Sequence, residues 1–152
     1  MLGLAGLGLS SCSTTKDLPS EIIVFEFQAP DAQSGVEITM PISGLKYRCI
    51  LSQDLSIADL DSVTVGMSPQ GVRCLVFQFD QEGERKLYRD TVLHLGLMLY
   101  LLVNGKPMGA CMITQAIEDG QVAIFAEVPD DKLDAYAKDL QDSINRMKAL
   151  RQ

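Results

Sequence analysis

The sequence has no tryptophan and few aromatic residues of any kind. Aromatic residues make up 6% of its 152 residues, which argues against a platform on which the bases of single-stranded nucleic acids stack. Basic residues are also few, 13 against 20 acidic ones, and the net charge is −7. Because affinity for nucleic acid depends on contacts from Lys and Arg to phosphates, we expect no nucleic-acid partner.

Groups that commonly carry catalysis are scarce as well. His94 is the only histidine, and a single histidine lacks the partners that base catalysis or zinc binding needs. We predict a packing or surface role for it. The sequence contains no glycine-rich phosphate loop, Ser-x-x-Lys pair or His-Glu-x-x-His helix. We therefore expect no catalytic residue, no metal site and no cofactor, and a small enzyme is the least favoured function.

Two sets of residues could bind a ligand but have a simpler structural explanation. Acidic pairs could hold calcium, yet each fits a solvated turn or a helix start because no calcium-type loop surrounds it. Three methionines could form a soft peptide-binding surface, although filling of the core is the favoured interpretation. The pairs are Asp59 and Asp61, Glu118 and Asp119, and Asp130 and Asp131, and the methionines are Met98, Met108 and Met112.

The first fifteen residues carry no charge and include an apolar run over 2–9. This run is too short to cross a bilayer as a helix and is typical of a signal peptide. It ends in Leu9-Ser10-Ser11-Cys12, which resembles the lipobox of bacterial lipoproteins. The resemblance implies that residues 1–11 are a signal peptide, that Cys12 is the lipid attachment site, and that residues 12–20 are a lipidated tether.

A signal peptide normally begins with basic residues, and none precedes the apolar run. We therefore expect the leader to be truncated, with the true start codon further upstream. The alternative is an apolar N-terminus that is disordered or loosely packed.

The rest of the chain has the composition of a folded protein, with 47% apolar and 22% charged residues. Alternating apolar residues predict strands over 21–28, 36–40, 45–51, 63–65, 72–79, 97–103, 108–113 and 121–128. Helical spacing predicts helices over 56–61 and 81–95 and a C-terminal amphipathic helix after Pro129. Residues 21–152 are predicted to form a single α+β domain whose first two strands pair as a hairpin.

Two local signals sharpen these predictions. Asp80 stands where a helix needs an N-cap, since its carboxylate can accept from the free amides of the first turn. Asn104-Gly105 follows the seven-residue apolar run 97–103, which has the length of a strand buried on both faces. The Asn-Gly dipeptide favours a type I′ turn, and Pro107 suggests a loop slightly longer than two residues.

Several of these segments together are similar to the head of the first periplasmic domain of SecD, a bacterial protein-export membrane component. The similar segments are Asp59-Leu60, Val76-Phe77-Gln78-Phe79-Asp80 with Gly83, Lys86-Leu87-Tyr88 with Thr91, Gly96, Leu99 through Pro107, and Ala116-Ile117 with Asp119-Gly120. The resemblance covers residues 52–128 approximately and implies a ferredoxin-like βαββαβ core, to which extra hairpins and the C-terminal helix are added. The residues themselves indicate a β-α-β-β-α-β order from Leu45 to Val103.

The sequence also departs from the SecD pattern. Asn104 stands where an Asp is usual, and Gly109-Ala110-Cys111 replaces a Ser-Ala-Pro-like step. After the leader, no stretch reaches the ~18 apolar residues of a membrane-spanning helix. We therefore expect a detached head domain, tethered to a membrane by lipid and without proton-driven activity of its own.

These observations predict a non-enzymatic lipoprotein of the bacterial cell envelope that faces the periplasm or the cell surface. Its SecD-head-like domain is expected to bind a protein or peptide partner, with protein export as the implied context. The predicted binding site is the loop tip formed by Asn104, Gly105, Lys106 and Pro107, because loop tips on rigid hairpins often carry recognition. A plain hairpin turn remains the alternative there, and a structural, self-assembling envelope module is the alternative function.

Cys49, Cys74 and Cys111 all lie on predicted strands. In an oxidising periplasm two of them could form a disulfide. Each could equally be a small buried apolar residue, which is how free cysteine usually behaves. The spacing alone leaves both possibilities open.

Overall fold

The computed structural model of this chain describes residues 18–151, so the apolar leader and Cys12 lie outside the described residues. Short 3-10 turns occur at Ile57–Asp59 and Asp130–Lys132. The helices are α1 (Gln81–Leu93) and α2 (Leu133–Leu150). The strands are β1 (Ile23–Phe27), β2 (Val36–Thr39), β3 (Lys46–Cys49), β4 (Leu55–Ser56), β5 (Leu60–Met67), β6 (Arg73–Phe79), β7 (Met98–Val103), β8 (Lys106–Met112) and β9 (Gln121–Ala126).

Within residues 18–151, seven strands form one antiparallel sheet. Its order from edge to edge is β4, β1, β7, β8, β9, β6, β5. The remaining strands, β2 and β3, pair with each other in a separate hairpin, with Val36 opposite Cys49. The α+β class and the C-terminal helix predicted from the sequence are confirmed.

The sheet is strongly curled. Strands β1 and β6 have three strands between them, so a flat sheet would hold them about 19 Å apart at the usual spacing of neighbouring strands. Instead the rings of Phe25 on β1 and Phe77 on β6 meet edge to face, with centroids 5.1 Å apart. The two edge strands, β4 and β5, are also joined by the three residues Ile57–Asp59. The sheet therefore nearly closes on itself, and its concave side encloses the main core.

Helix α2 fills the remaining opening of this curled sheet. Leu140 and Ile144 are fully buried in the main core. On one side of the helix, Gln141 Oε1 accepts a hydrogen bond of 2.7 Å from the backbone amide of Val63 on β5. On the other side, Ser143 Oγ accepts one of 3.0 Å from the amide of Glu21, just before β1. The helix thus covers the edge strand β5, whose backbone would otherwise be open to pairing.

Strand β7 is buried on both faces, as its apolar run predicts. We call the concave side of the sheet, which contains Phe77, its inner face and the opposite side its outer face. The hairpin β2–β3 lies over the outer face and contributes Ile38 and Cys49 to a second, smaller core, in which Tyr100 and Leu102 of β7 are buried. The outer face of β7 is therefore covered by this hairpin.

Helix α1 begins where the sequence predicts. Asp80 is its N-cap, and its Oδ1 accepts a 2.7 Å hydrogen bond from the amide of Gly83. Leu87 and Thr91 are fully buried beneath the helix. The helix ends at Leu93, two residues earlier than predicted.

The predicted hairpin between the first two strands is wrong. Strand β1 lies inside the sheet between β4 and β7, with Ile23 opposite Val103 and Phe27 opposite Leu99. Its apolar residues fill the main core, whereas β2 buries only Ile38. A strand with a single buried side chain gains little from an internal position in the sheet, and β2 pairs with β3 instead.

The predicted helix over 56–61 is also wrong, because it is a single 3-10 turn. Its cap is as predicted: Ser56 Oγ accepts from the amide of Ala58, and Asp59 Oδ2 accepts from the amide of Ser56. The turn ends at Leu60, whose fully buried side chain begins β5. The order from residue 45 to 103 is therefore four strands, one helix and one strand, and the ferredoxin-like core is not confirmed.

Candidate functional site

The predicted tip lies at the turn between β7 and β8. Asn104 has a φ of 53° and Gly105 one of 79°, the left-handed values that a type I′ turn requires. The turn contains these two residues only, so the longer loop predicted from Pro107 is wrong. Pro107 lies opposite Leu102 beside a bulge in the pairing, a position where a strand tolerates a residue without an amide hydrogen.

Asn104 is bound within the domain. Its backbone amide donates to the carbonyl of Ile22 (2.8 Å), and its Oδ1 accepts from the amide of Ile22 (2.8 Å). Its Nδ2 donates to Glu21 Oε2 at 2.7 Å. Asn104 therefore holds the chain that enters β1, which is a structural role rather than one open to a partner.

Lys106 is exposed, and within residues 18–151 no carboxylate forms an ion pair with it. It lines an open cavity of about 280 Å³ between the tip and α2, together with Glu21, Met108 and Tyr136. The Tyr136 hydroxyl is buried and has no hydrogen-bond partner among the described residues. Burial, together with the charge of Glu21, raises the pKa of Tyr136 to about 12. The tip thus offers one free cation beside a neutral phenol.

The lipid attachment predicted at Cys12 lies outside the described residues. The other three cysteines, Cys49, Cys74 and Cys111, are free thiols, with no disulfide among them in the described part of the chain. Burial raises the pKa of all three, in the case of Cys111 to about 12. They are therefore neutral near pH 7, and the small apolar role is the one that fits.

A pair of carboxyl groups lies beside His94. Burial raises the pKa of Asp90, whereas the hydrogen bond from Asp90 lowers that of Asp54. Arg89 forms ion pairs with both. The two carboxyl groups border a cavity of about 400 Å³ together with His94 and Phe27. The sequence gives no sign of this pair because 36 positions separate residues 54 and 90.

His94 itself is held by packing. Its ring stacks on Phe27 with centroids 4.2 Å apart. Its Nδ1–H donates to the carbonyl of Asp90 at 2.7 Å. This arrangement fits the packing role predicted for the only histidine.

Four of the six candidate calcium carboxylates have structural partners. Asp59 pairs with Lys86, Asp61 with Lys148, and Asp130 with Arg73. Asp119 Oδ1 accepts from the amide of Gln121. Across residues 18–151, no three His, Cys, Asp or Glu side chains converge on a position for a metal ion.

The methionines divide between the cores and the surface. Met108 packs against the main core and Met98 against the smaller one, whereas Met112 is 52% exposed. Met112 lies on the outer face near Phe125, which is 43% exposed. The sequence alternation places apolar residues on both faces of β8 and β9, but it does not reveal which face the rest of the chain leaves open.

No helix between residues 18 and 151 combines the length and the apolar character needed to cross a bilayer.

The chain has a SecD-like fold by comparison with solved structures. It is similar to the crystal structure of SecDF in a super-membrane-facing form (TM-score 0.60, 16% identity), covering 82% of this chain and 18% of that one. It is also similar to the structure of a membrane component SecDF that enhances protein export (TM-score 0.58, 19% identity), covering 82% of this chain and 62% of that one. No family model matches the sequence, and no curated protein matches it. At these identities the likeness is one of fold.

Proposed function

We propose that this chain is a non-enzymatic lipoprotein of the bacterial envelope whose domain corresponds to the head of the first periplasmic domain of SecD. In this proposal the protein is anchored through Cys12, faces the periplasm or the cell surface, and binds a protein or peptide partner in the context of protein export. The observation that carries it is the similarity over 82% of the chain to SecDF, a membrane component that enhances protein export.

The geometry of the tip adds support for a binding role. Asn104 fixes the turn to the chain before β1 through three hydrogen bonds, so the neighbouring Lys106 extends from a rigid base. A rigid base lowers the entropy that a partner must remove on binding. The turn therefore suits recognition by Lys106, with Asn104 positioning it.

The anchor is tested in the bacterial cell that encodes the protein, with the gene expressed from its own chromosomal locus. We expect palmitate labelling and globomycin-sensitive processing, both abolished by Cys12→Ala. Cys49→Ala is the matched control, because Cys49 is fully buried in the domain and its removal should leave the labelling unchanged. Labelling that persists in Cys12→Ala would contradict the anchor.

The partner is tested with a photoreactive residue at position 106. We expect it to crosslink to an envelope protein or a translocating chain, whereas the same residue at position 132 should not. Lys132 is the matched control because it is exposed and, like Lys106, forms no ion pair within the described part of the chain. Equal products from both positions, or none from position 106, would contradict binding at the tip.

A structural, self-assembling module is the second candidate. It is favoured by the apolar part of the outer face that includes Met112 and Phe125. Sedimentation decides between the two functions: a concentration-dependent oligomer at micromolar protein favours assembly, and a monomer favours the partner-binding function.

A further inference from the structure

Strands β8 and β9 diverge after a short contact. Their paired residues are Gly109 opposite Ala126 and Ala110 opposite Phe125, and one more backbone hydrogen bond joins the Glu127 amide to the Met108 carbonyl at 2.7 Å. At Gly109 the strands are so close that an added Cβ would lie 2.6 Å from Ile124 and 2.9 Å from the Phe125 carbonyl oxygen. Glycine permits this close crossing, and beyond it the two strands separate.

The separation leaves a cleft. We define the cleft as the space between residues 111–115, which end β8 and continue beyond it, and residues 121–125 of β9. It is a cavity of about 350 Å³. Its walls include Met112, Ile117 and Phe125. Over 121–124, β9 pairs with β6 on its other side, and within residues 18–151 no strand pairs with it on the side of the cleft. Alternate residues of β9 therefore direct their amide and carbonyl groups toward the cleft.

One end of the cleft is acidic. A second depression, of about 610 Å³, shares Gln115, Ile117 and Gln121 with the cleft and adds Glu118 and Asp119. Glu84 lies close by, since a Cβ on Gly120 would be 2.4 Å from its Cγ. No lysine or arginine of the described residues forms an ion pair with these three carboxylates. The cleft is thus apolar along its length and negatively charged at the Gly120 end.

The exposed area indicates what kind of occupant fits. Met112 and Phe125 are about half exposed, and because a large side chain of this kind presents roughly 150–250 Å² in all, together they offer about 200 Å² of apolar surface. A stable dimer needs roughly 800 Å² on each partner. An extended peptide instead obtains part of its affinity from backbone hydrogen bonds to an unpaired strand, which this cleft supplies.

We propose that the cleft binds an extended apolar peptide segment with basic residues at one end, added as a strand beside β9. The proposal rests on the proposed function as a peptide-binding domain and names its surface and the chemistry of its partner. The peptide backbone pairs with β9, its apolar side chains contact Met112, Ile117 and Phe125, and its cations lie near Glu118, Asp119 and Glu84.

The first test measures binding of a fluorescein-labelled peptide to the full chain carrying Cys12→Ser. The peptide has two lysines followed by eight residues that alternate valine and threonine. We expect Met112→Glu to weaken binding about tenfold, the cost of about 1.4 kcal/mol. Met67→Glu is the matched control, since Met67 is 65% exposed on β5, two strands from β9, and it should bind as the wild type. Equal affinities of the two variants, or no binding by the wild type, would overturn the proposal.

The second test addresses charge and backbone pairing. Glu118→Lys should weaken binding of the lysine peptide and strengthen that of a peptide with two glutamates, whereas Glu37→Lys should do neither, because Glu37 is exposed on the hairpin β2–β3. N-methylation of alternate peptide residues in the register that faces β9 should abolish binding. If neither methylated peptide bound more weakly than the unmodified peptide, strand addition would be ruled out.

The two proposals can fail separately. If position 106 crosslinks a partner while Met112→Glu and Met67→Glu bind the peptide equally, the cleft is wrong and the proposed function stands. If the peptide binds as expected while palmitate labelling is unaffected by Cys12→Ala, the anchor is wrong and the cleft stands. If the protein forms a dimer that Met112→Glu abolishes, and the peptide does not bind, the cleft is the contact between two copies and the peptide proposal is overturned.

Discussion

The two faces of the curled sheet are completed in different ways. The inner face receives large apolar side chains from all seven strands and is closed by α2. The outer face is covered only in part, where the hairpin β2–β3 buries Tyr100 and Leu102. Over β8 and β9 it carries the half-exposed Met112 and Phe125. The difference indicates that the inner face contributes most to the stability of the fold, whereas part of the outer face is not covered by the described residues.

The largest expected effect separates the two faces directly. Phe77→Ala removes a fully buried ring that packs against Phe25, and we expect a loss of about 3–5 kcal/mol in the free energy of unfolding. Phe125→Ala, on the half-exposed outer face, should lose less than about 1 kcal/mol. Urea unfolding of both variants measures this. Similar losses at the two positions would show that the outer face is as important to stability as the inner one.

A smaller effect is expected in the covered part of the outer face. The Tyr100 hydroxyl is buried without a hydrogen-bond partner among the described residues, and such a group costs stability. Tyr100→Phe should therefore raise the free energy of unfolding by about 1 kcal/mol. Tyr88→Phe, on a side chain that is 45% exposed, is the control and should change nothing. A loss of stability in Tyr100→Phe would mean that the hydroxyl has a partner.

The smallest effect concerns pH. Glu26 is 1% exposed on the outer face, and its Oε1 accepts from the Ser52 amide and hydroxyl and the Gln53 amide. Burial outweighs these bonds and raises its pKa above 4.5. The folded state then binds the proton more tightly than the unfolded state, so the stabilisation from protonation is complete below pH 4.5 and is lost as the pH rises through the folded pKa.

As the pH rises from 4.5 to neutral, wild type should accordingly lose stability relative to Glu26→Gln. Unfolding by urea at several pH values measures the difference, and Glu37→Gln, at an exposed position, serves as the control without a trend. A gain in the stability of wild type relative to Glu26→Gln as the pH rises would mean that the hydrogen bonds from the 52–53 loop outweigh burial.

Local chemistry made much of the fold predictable from the sequence. The cap at Asp80, the type I′ turn at Asn104-Gly105 and the doubly buried strand β7 each depend on a few adjacent residues, and each is found. The SecD-like fold was also indicated by residues within 52–128, and the comparison with solved structures agrees.

The pairing of β1 was not predictable in the same way. Alternation in a strand identifies its buried face but not its partner, so the predicted pairing of β1 with the nearest strand in the sequence is wrong. The helix over 56–61 failed because Leu60 is required in the main core as part of β5. In both cases a contact between residues distant in sequence outweighed the local preference.

In the candidate site, too, the local feature was predictable from the sequence and the long-range ones were not. The turn at the tip was predictable, but the use of Asn104 to hold Ile22 required two segments 82 positions apart to meet. The cleft was hidden for a related reason. It depends on where β8 and β9 separate after Gly109, and no single residue in the sequence encodes that divergence.

The internal position of β1 has a consequence for the order of folding. Hairpins β5–β6 and β7–β8 join strands that are adjacent in the sequence and can form as soon as both strands are available. Ile23, however, pairs with Val103, 80 positions later (103 − 23), and closing so long a loop costs entropy before the contact repays it. A chain that emerges N-terminus first therefore leaves the edge of β1 that pairs with β7 exposed until β7 has followed. The apolar residues of β1 are most vulnerable to aggregation in that interval, and a chaperone would act there to the greatest benefit.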